Sequence, residues 1–324
     1  MLLVEMSINA VLKRLSMEGL ALDHWWANMI TSFTPPQYSL PKDYGGYARL
    51  DFGSIILSPD LFKGDWPPPA SCPITVKYTA TDEASAETLF SGTAHRAGFD
   101  RDSISYDLHG TAYDTVVATN QAFDDTLANV MAWAADPTRL NLTLDTTAAR
   151  APSPALIHTM TSDRLLIDTI SDFCAFFSHC FHIEAGTLYL VDMLADNGSE
   201  VLTEYDYFPS TYEDVVPTSI ITGGDYSRAS AYPYGEALSL SEAYHSAQAN
   251  IEAALDDILS VINRPRCRLR VPLLGGLPAP GKKVSWTDSS LVVDTAAYIR
   301  ARRISYDFEN EVVEIEGEGE ITAA

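Results

Sequence analysis

Cysteine is scarce in this chain, and what there is has no paired spacing. Cys72, Cys174, Cys180 and Cys267 are the only cysteines in 324 residues and none forms C-x-x-C, which excludes a zinc ribbon or a small disulfide scaffold. Four free thiols are expected. Positive charge is the second shortage: 21 Lys and Arg face 44 Asp and Glu, a formal net charge of −23. Such a surface repels phosphate backbones and anionic headgroups, which excludes a conventional nucleic-acid binder and disfavours anionic membranes. No apolar run reaches the ~18–20 residues of a membrane span. The opening residues lack a signal peptide's order, since Glu5 interrupts them and Lys13 and Arg14 follow. The chain is therefore expected to be made in the cytoplasm, soluble and without a membrane anchor.

Catalytic signatures are missing as well. There is no G-x-S-x-G, no Walker-type phosphate loop, no H-E-x-x-H and no D-x-D-x-D-G calcium loop. Carboxylate pairs such as Asp124 with Asp125 and Asp256 with Asp257 are too common here to single out an acid/base site. No enzymatic activity is expected. Cys174, His179, Cys180 and His182 form the one grouping of metal-ligand types. Cys174 and Cys180 fall six apart on one predicted helix, so they point to different sides, and a structural role is preferred, with Cys174 a small core hydrophobe. A metal or iron–sulfur site would need the fold to bring Cys72 and Cys267 beside them; no cofactor is expected.

What is present is a core-forming composition, 46% hydrophobic against 20% charged. The apolar spacing Ile8, Val11, Leu12, Leu15, then Leu22, Trp25, Trp26, Met29 predicts two short helices broken at Gly19. Adjacent Trp25 and Trp26 cannot both face one stripe, which offers one of them to a neighbouring domain or subunit. Pro35, Pro36, Pro41, Gly45 and Gly46 read as a linker, closing a helical extension over residues 1–46. From Tyr47 the period becomes two, and the runs Arg49–Leu57, Ile74–Thr79, Thr88–Ala94 and Ser103–Leu108 predict a half-buried antiparallel sheet over 47–119.

Residues 120–195 predict an α/β insert. Asp124 or Asp125 caps a helix ended by Pro137, and a second helix from Ser162 or Asp163 carries an aromatic stripe into the hairpin Phe181–Asp192. In the segment 196–264, Ser239 and Glu242 have capping-box spacing ahead of one long stripe, Leu240 to Ile262, which Pro265 ends. Residues 265–324 return to strands. Ile104-Ser105-Tyr106-Asp107 recurs as Ile304-Ser305-Tyr306-Asp307, an echo that points to two related β-modules flanking the insert. The predicted class is α+β, mainly β: two tube-like antiparallel modules around a small α/β unit and a long helix.

The closing strand is the most specific feature. Period two puts Glu314, Glu316, Glu318 and Glu320 on one face, with Ile315, Gly317, Gly319 and Ile321 on the other. An acidic face of this kind protects an edge strand from aggregation or forms a wall that repels something anionic. Against this trend Arg264, Arg266, Arg268 and Arg270, and then Arg300, Arg302 and Arg303, concentrate positive charge on flanking strands. They can pair with acids in the same or an adjacent subunit, which suits assembly better than catalysis.

This order of elements, from Leu89–Thr93 and Ser103–Leu108 through Gly186–Asp192 and the long helix to Ile315–Gly319, resembles the baseplate hub (tail-tip hub) proteins of long-tailed bacteriophages. The resemblance runs from Tyr47 to the end of the chain and leaves out the Trp-bearing N-terminus. It implies a structural virion protein in the tail. Two tube-like modules per chain would assemble as a trimer and match a hexameric tube. The expected partners are the distal tail protein, the tape measure and the tip or receptor-binding proteins. DNA would pass through an acidic lumen lined by Glu314, Glu316, Glu318 and Glu320, with Trp25, Trp26, Arg300, Arg302 and Arg303 as subunit contacts. A hexameric distal tail ring or tail-tube protein is the main alternative. A cell-wall-degrading tail hydrolase is the more remote one.

Overall fold

In a computed structural model the described residues are 2–16, 26–27, 29–35, 37–51, 53–64, 66–79, 84, 86–110, 113–195, 199–202, 208–213, 216–272, 279–288, 295–307 and 312–323. Residues 2–16 are a strand pair, which corrects the first of the two expected helices, whereas Leu22 and Trp25 of the second lie outside the described residues. Leu2, Val4, Met6 and Ile8 are buried and alternate with Glu5 and Ser7, which are half-buried. Strand β1 (Leu2–Ile8) pairs with β2 (Val11–Ser16) through a two-residue turn, in which Asn9 and Ala10 have φ of 49° and 63°. Ile8 and Val11 are cross-strand partners three residues apart. A tight hairpin thereby mimics a helical step.

The strands β3 (Trp26–Ala27) and β4 (Ile30–Thr34) come next. Three short strands follow, β5 (Gln37–Ser39), β6 (Gly46–Tyr47) and β7 (Arg49–Asp51). Then come β8 (Ser54–Leu57), β9 (Ser71–Tyr78), β10 (Glu87–Phe99) and β11 (Ile104–His109). One sheet orders these as β3-β2-β1-β9-β10-β11-β8-β4. Its inward residues, among them Val4, Met6, Ile55, Ile74, Val76, Phe90 and Tyr106, make one core. The first compact unit comprises Met1–Gln37, Leu50–Ala112 and Ser305–Val312.

The second unit comprises Tyr38–Arg49, Tyr113–Ile304 and Val313–Ala324. Residues 38–46, read as linker, thus belong to it: β6 runs parallel to β15 (His179–Glu184), and Tyr47 stacks on Phe181 at 4.9 Å. The insert begins with β12 (Gln121–Thr126), α1 (Leu127–Ala135), β13 (Thr143–Ala148) and β14 (Ala155–Met160). Thr126, rather than Asp124 or Asp125, caps α1, its hydroxyl accepting from the Asn129 N–H at 3.3 Å. Thr126→Ala is expected to cost about 1 kcal/mol, read as a lower urea midpoint at unchanged slope.

Helix α2 (Leu166–Phe176) is shorter than its aromatic stripe suggested, because the chain turns at Ser178 (φ 53°) and Phe181 lies on β15. Cys174 and Cys180 therefore do not share a helix. Strand β16 (Thr187–Asp192) completes the hairpin through Ala185 and Gly186, both at positive φ. The four-stranded sheet β13-β16-β15-β6 results. Phe173, Cys174, Cys180 and Phe181 are fully buried in the core beneath it.

The remaining elements are β17 (Ser199–Leu202), β18 (Phe208–Glu213), β19 (Thr218–Gly223), β20 (Tyr226–Ala229), β21 (Glu236–Leu240), α3 (Gln248–Ile262), β22 (Arg266–Pro272), β23 (Lys283–Asp288), β24 (Thr295–Asp307) and β25 (Val312–Ala323). The capping box at Ser239 is not used. Ser239 and Leu240 pair in parallel with Thr222 and Gly223, and the helix starts eight residues after Leu240. The His245 ring accepts from the Ala247 N–H at 2.8 Å just before the helix. Ile251, Leu255 and Ile258 of the predicted stripe are buried in the same core.

The second large sheet runs β17-β23-β24-β25-β22-β18. Set beside the first, its strand order is a repeat. In chain order β4, β8, β9, β10 and β11 lie as β9-β10-β11-β8-β4, and β18, β22, β23, β24 and β25 lie as β23-β24-β25-β22-β18. The outer pairs β4·β8 and β18·β22 are both antiparallel. The fold is mainly β, with two like modules, as expected. The Ile-Ser-Tyr-Asp echo is not their trace, however. It falls on β11 in one module and on β24, the counterpart of β10, in the other. In both places Ile and Tyr are buried because period two puts them on the core face.

Candidate functional site: an arginine and glutamate ladder

Strand β25 lies between β22 and β24, so its acidic face meets arginines from both sides. On β22, Arg266, Arg268 and Arg270 alternate with buried Cys267, Leu269 and Val271. Arg268 lies 3.3 Å from Glu314 and 3.7 Å from Glu316, and Arg270 lies 3.3 Å from Glu314. Glu314 and Glu316 are thus half-buried ion-pair members. Glu320 continues the strand.

Deeper in, Glu318 is 2% exposed. Arg302 on β24 brings a guanidinium nitrogen to 2.6 Å from it, a charge contact without aligned N–H···O geometry. Burial pushes the Glu318 carboxyl up to about 7, opposed by Arg302. Arg302 also meets Asp43, which lies 3.0 Å from Arg266. Asp43 was invisible as a site residue from sequence, because its position among prolines and glycines signals only a turn. Arg300 is 3% exposed and donates to the carbonyls of Gly281 (3.0 Å) and Ala195 (2.5 Å). Arg303 is exposed. Gly317 allows β25 to approach: a Cβ there would sit 1.9 Å from the Arg300 carbonyl oxygen. Gly317→Ala is expected to cost about 1–3 kcal/mol, measured by thermal melting of purified protein.

Of the remaining predicted residues, Trp25 lies outside the described residues, and Trp26 begins β3, in register with Leu15. All four cysteines are free and buried. Burial pushes the thiols of Cys72 to about 11 and of Cys180 and Cys267 to about 12, and raises Cys174 well above its ordinary value. Nucleophilic attack needs the thiolate, which burial at these sites disfavours. Cys174 contacts the Met131 sulfur at 3.7 Å inside the core. Among the described residues no three His, Cys, Asp or Glu side chains are placed to hold one metal ion.

His179 has a different task. Its Nδ1 meets the Phe177 carbonyl at 2.8 Å, and its Nε2 accepts from the Arg150 backbone N–H at 3.4 Å. The Arg150 guanidinium grips Asp192 with two bonds, at 3.0 and 3.1 Å, and reaches Asp257 of α3 at 2.6 Å. This knot joins the loop after β13, the end of β16 and α3. Neither it nor the ladder has an exposed nucleophile. Both are suited to holding strands in register.

No family model matches the sequence, and no curated protein matches it. Solved structures do match over nearly the whole chain. The tail protein from Neisseria meningitidis MC58 aligns with TM-score 0.59 and 12% identity over 98% of this chain and 96% of that one. The prophage MuSo2 43 kDa tail protein from Shewanella oneidensis gives TM-score 0.57 and 9% identity over 99% and 96%. The prophage tail protein gp18 from Listeria monocytogenes EGD-e gives 0.52 and 9% over 97% and 93%. At these identities the likeness is one of fold.

Proposed function

We propose that this chain is a structural protein of a bacteriophage tail, a hub at the distal end that adapts the tail tube to the tip. The observation that carries the reading is the five-strand order repeated within one chain. Two like modules per chain let three copies present six similar surfaces to a sixfold tube. The shared fold with phage and prophage tail proteins supports the same reading. Its partners would be the distal tail, tape-measure and tip proteins, and its place the virion tail.

In this reading DNA crosses the ring without binding. Repulsion acts over about 8 Å at physiological salt and is supplied by the net charge of −23. Glu314, Glu316 and Glu318, already paired with arginines of the same chain, add to register more than to repulsion. Arg300 and Arg302 are likewise engaged within the chain; Arg303, Trp25 and Trp26 stay the proposed subunit contacts. Cryo-electron microscopy of tails carrying this protein tests the proposal. Threefold density with two modules per chain is the expected result. A sixfold ring of single copies would assign the chain to the distal tail ring instead.

A further inference from the structure

Strand β10 carries His95 and strand β11 carries His109, and both side chains stand on the outward face of the first sheet. Period two puts them there: their neighbours Ala94 and Leu108 are fully buried, whereas His95 and His109 are exposed. In the antiparallel register Thr93 faces His109 and His95 faces Asp107, so the two histidines are diagonal neighbours. Gly92 lets the backbones close up at this point, since a Cβ there would collide with the His109 carbonyl oxygen. The two ring centroids lie 4.7 Å apart, with the ring planes at 87°.

Edge-to-face rings at this distance are also what plain aromatic packing gives. Two exposed polar rings gain little from packing, however, and each presents a nitrogen lone pair when neutral. The spacing suits a shared ion. A metal–nitrogen bond of ~2.0–2.1 Å puts each ring centre about 3.2 Å from the ion, so neighbouring ligands at about 90–110° hold the two centres about 4.5–5.2 Å apart. The observed 4.7 Å falls inside that range. The χ2 torsion of histidine is broad, so one nitrogen of each ring can be turned to a common point.

We propose that His95 and His109 chelate one divalent late transition-metal ion, of the zinc, copper or nickel class, across β10 and β11. Imidazole nitrogen selects these ions over magnesium and calcium, which take oxygen ligands. Among the described residues no third His, Cys, Asp or Glu is placed to join the pair, so water completes the coordination sphere. Asp107, opposite His95 on the same exposed face, and the net charge of −23 both favour a cation here. The ion spans the strands beside their irregularity, where the register shifts between Arg96 and Gly98. Such a shift weakens the ladder locally, and a metal bridge next to it pins the register.

The experiment titrates Zn²⁺ into the untagged, chelator-stripped full chain and follows the histidine ring nitrogens by NMR. The expected result is saturation at one ion per chain, with His95 and His109 shifting together while His158, His179, His182 and His245 hold still. His95→Gln and His109→Gln should each weaken binding about tenfold or more, since removing even an outer-sphere partner of a metal ligand costs that much. Both positions are exposed, so an unchanged amide spectrum checks the fold of each variant. Mg²⁺ at the same concentration should leave both rings unmoved. No shift with Zn²⁺, movement of one ring alone, equal shifts with Mg²⁺, or undiminished affinity in either variant would overturn the proposal.

Discussion

Replacing Arg302 with alanine is expected to lower stability by about 3–5 kcal/mol at pH 8. The substitution leaves the Glu318 carboxylate buried without its guanidinium. A buried charge that loses its partner costs far more than the intact pair contributed, because desolvation is no longer offset. Since Glu318 titrates near 7 even with Arg302 present, the carboxyl of the variant takes up a proton at pH 5 and most of the loss disappears there. Arg302→Ala with Glu318→Gln should recover at least half of the deficit at pH 8. Urea unfolding of the three proteins at both pH values measures this. A loss under 1 kcal/mol at pH 8 would place the pair with solvent-screened surface bridges.

Acid should unfold the protein earlier than carboxylate protonation alone requires. His179 and His182 are both held down to about 4 from 6.5, chiefly by burial. Their folded pKa lies below the unfolded value, so protons bind on unfolding. Their contribution is full above pH 6.5 and is lost as pH falls towards 4. Each is worth on the order of 3 kcal/mol across that window. Glu318 acts in the opposite sense: its folded pKa is raised from 4.5 to about 7, so its contribution is full below pH 4.5 and is lost as pH rises through 7. Two histidines against one carboxyl leave a net fall between pH 6.5 and 4.5. His182→Phe, which keeps a ring against Tyr189, should flatten the slope by about one proton. An unfolding free energy that is level over this range would contradict the assignment of neutral, buried imidazoles.

Much of the architecture could be read from pattern. Strands β8 to β11 and the β15–β16 hairpin announce themselves by period two and by turn residues, and α3 by an apolar stripe that is buried as spaced. The misreadings share one cause, local spacing that tertiary pairing overrides. Ile8 and Val11 look like a helical step and are a hairpin's first cross-strand pair. Ser239 looks like a cap, and its hydroxyl instead accepts from Thr222 on the neighbouring strand at 3.0 Å. The acidic face of β25 was legible, whereas its neutralisation was not, because the sheet neighbours Arg268 and Arg302 are set by topology. Asp43 depends on residues far apart in sequence and leaves no local mark.

The division of the chain has a consequence for how the protein is made. The first unit draws on Met1–Gln37, Leu50–Ala112 and Ser305–Val312, and the second takes the stretches between and after. The polypeptide passes from one to the other five times, so no single cut yields either unit intact. A ribosome that has released only the first 300 residues has not yet supplied the last segment of the unit begun at residue 1. The first unit cannot be completed before Val312 has left the ribosome, and the second still awaits the residues after it. Truncations that end before Ser305 are therefore expected to aggregate or be degraded.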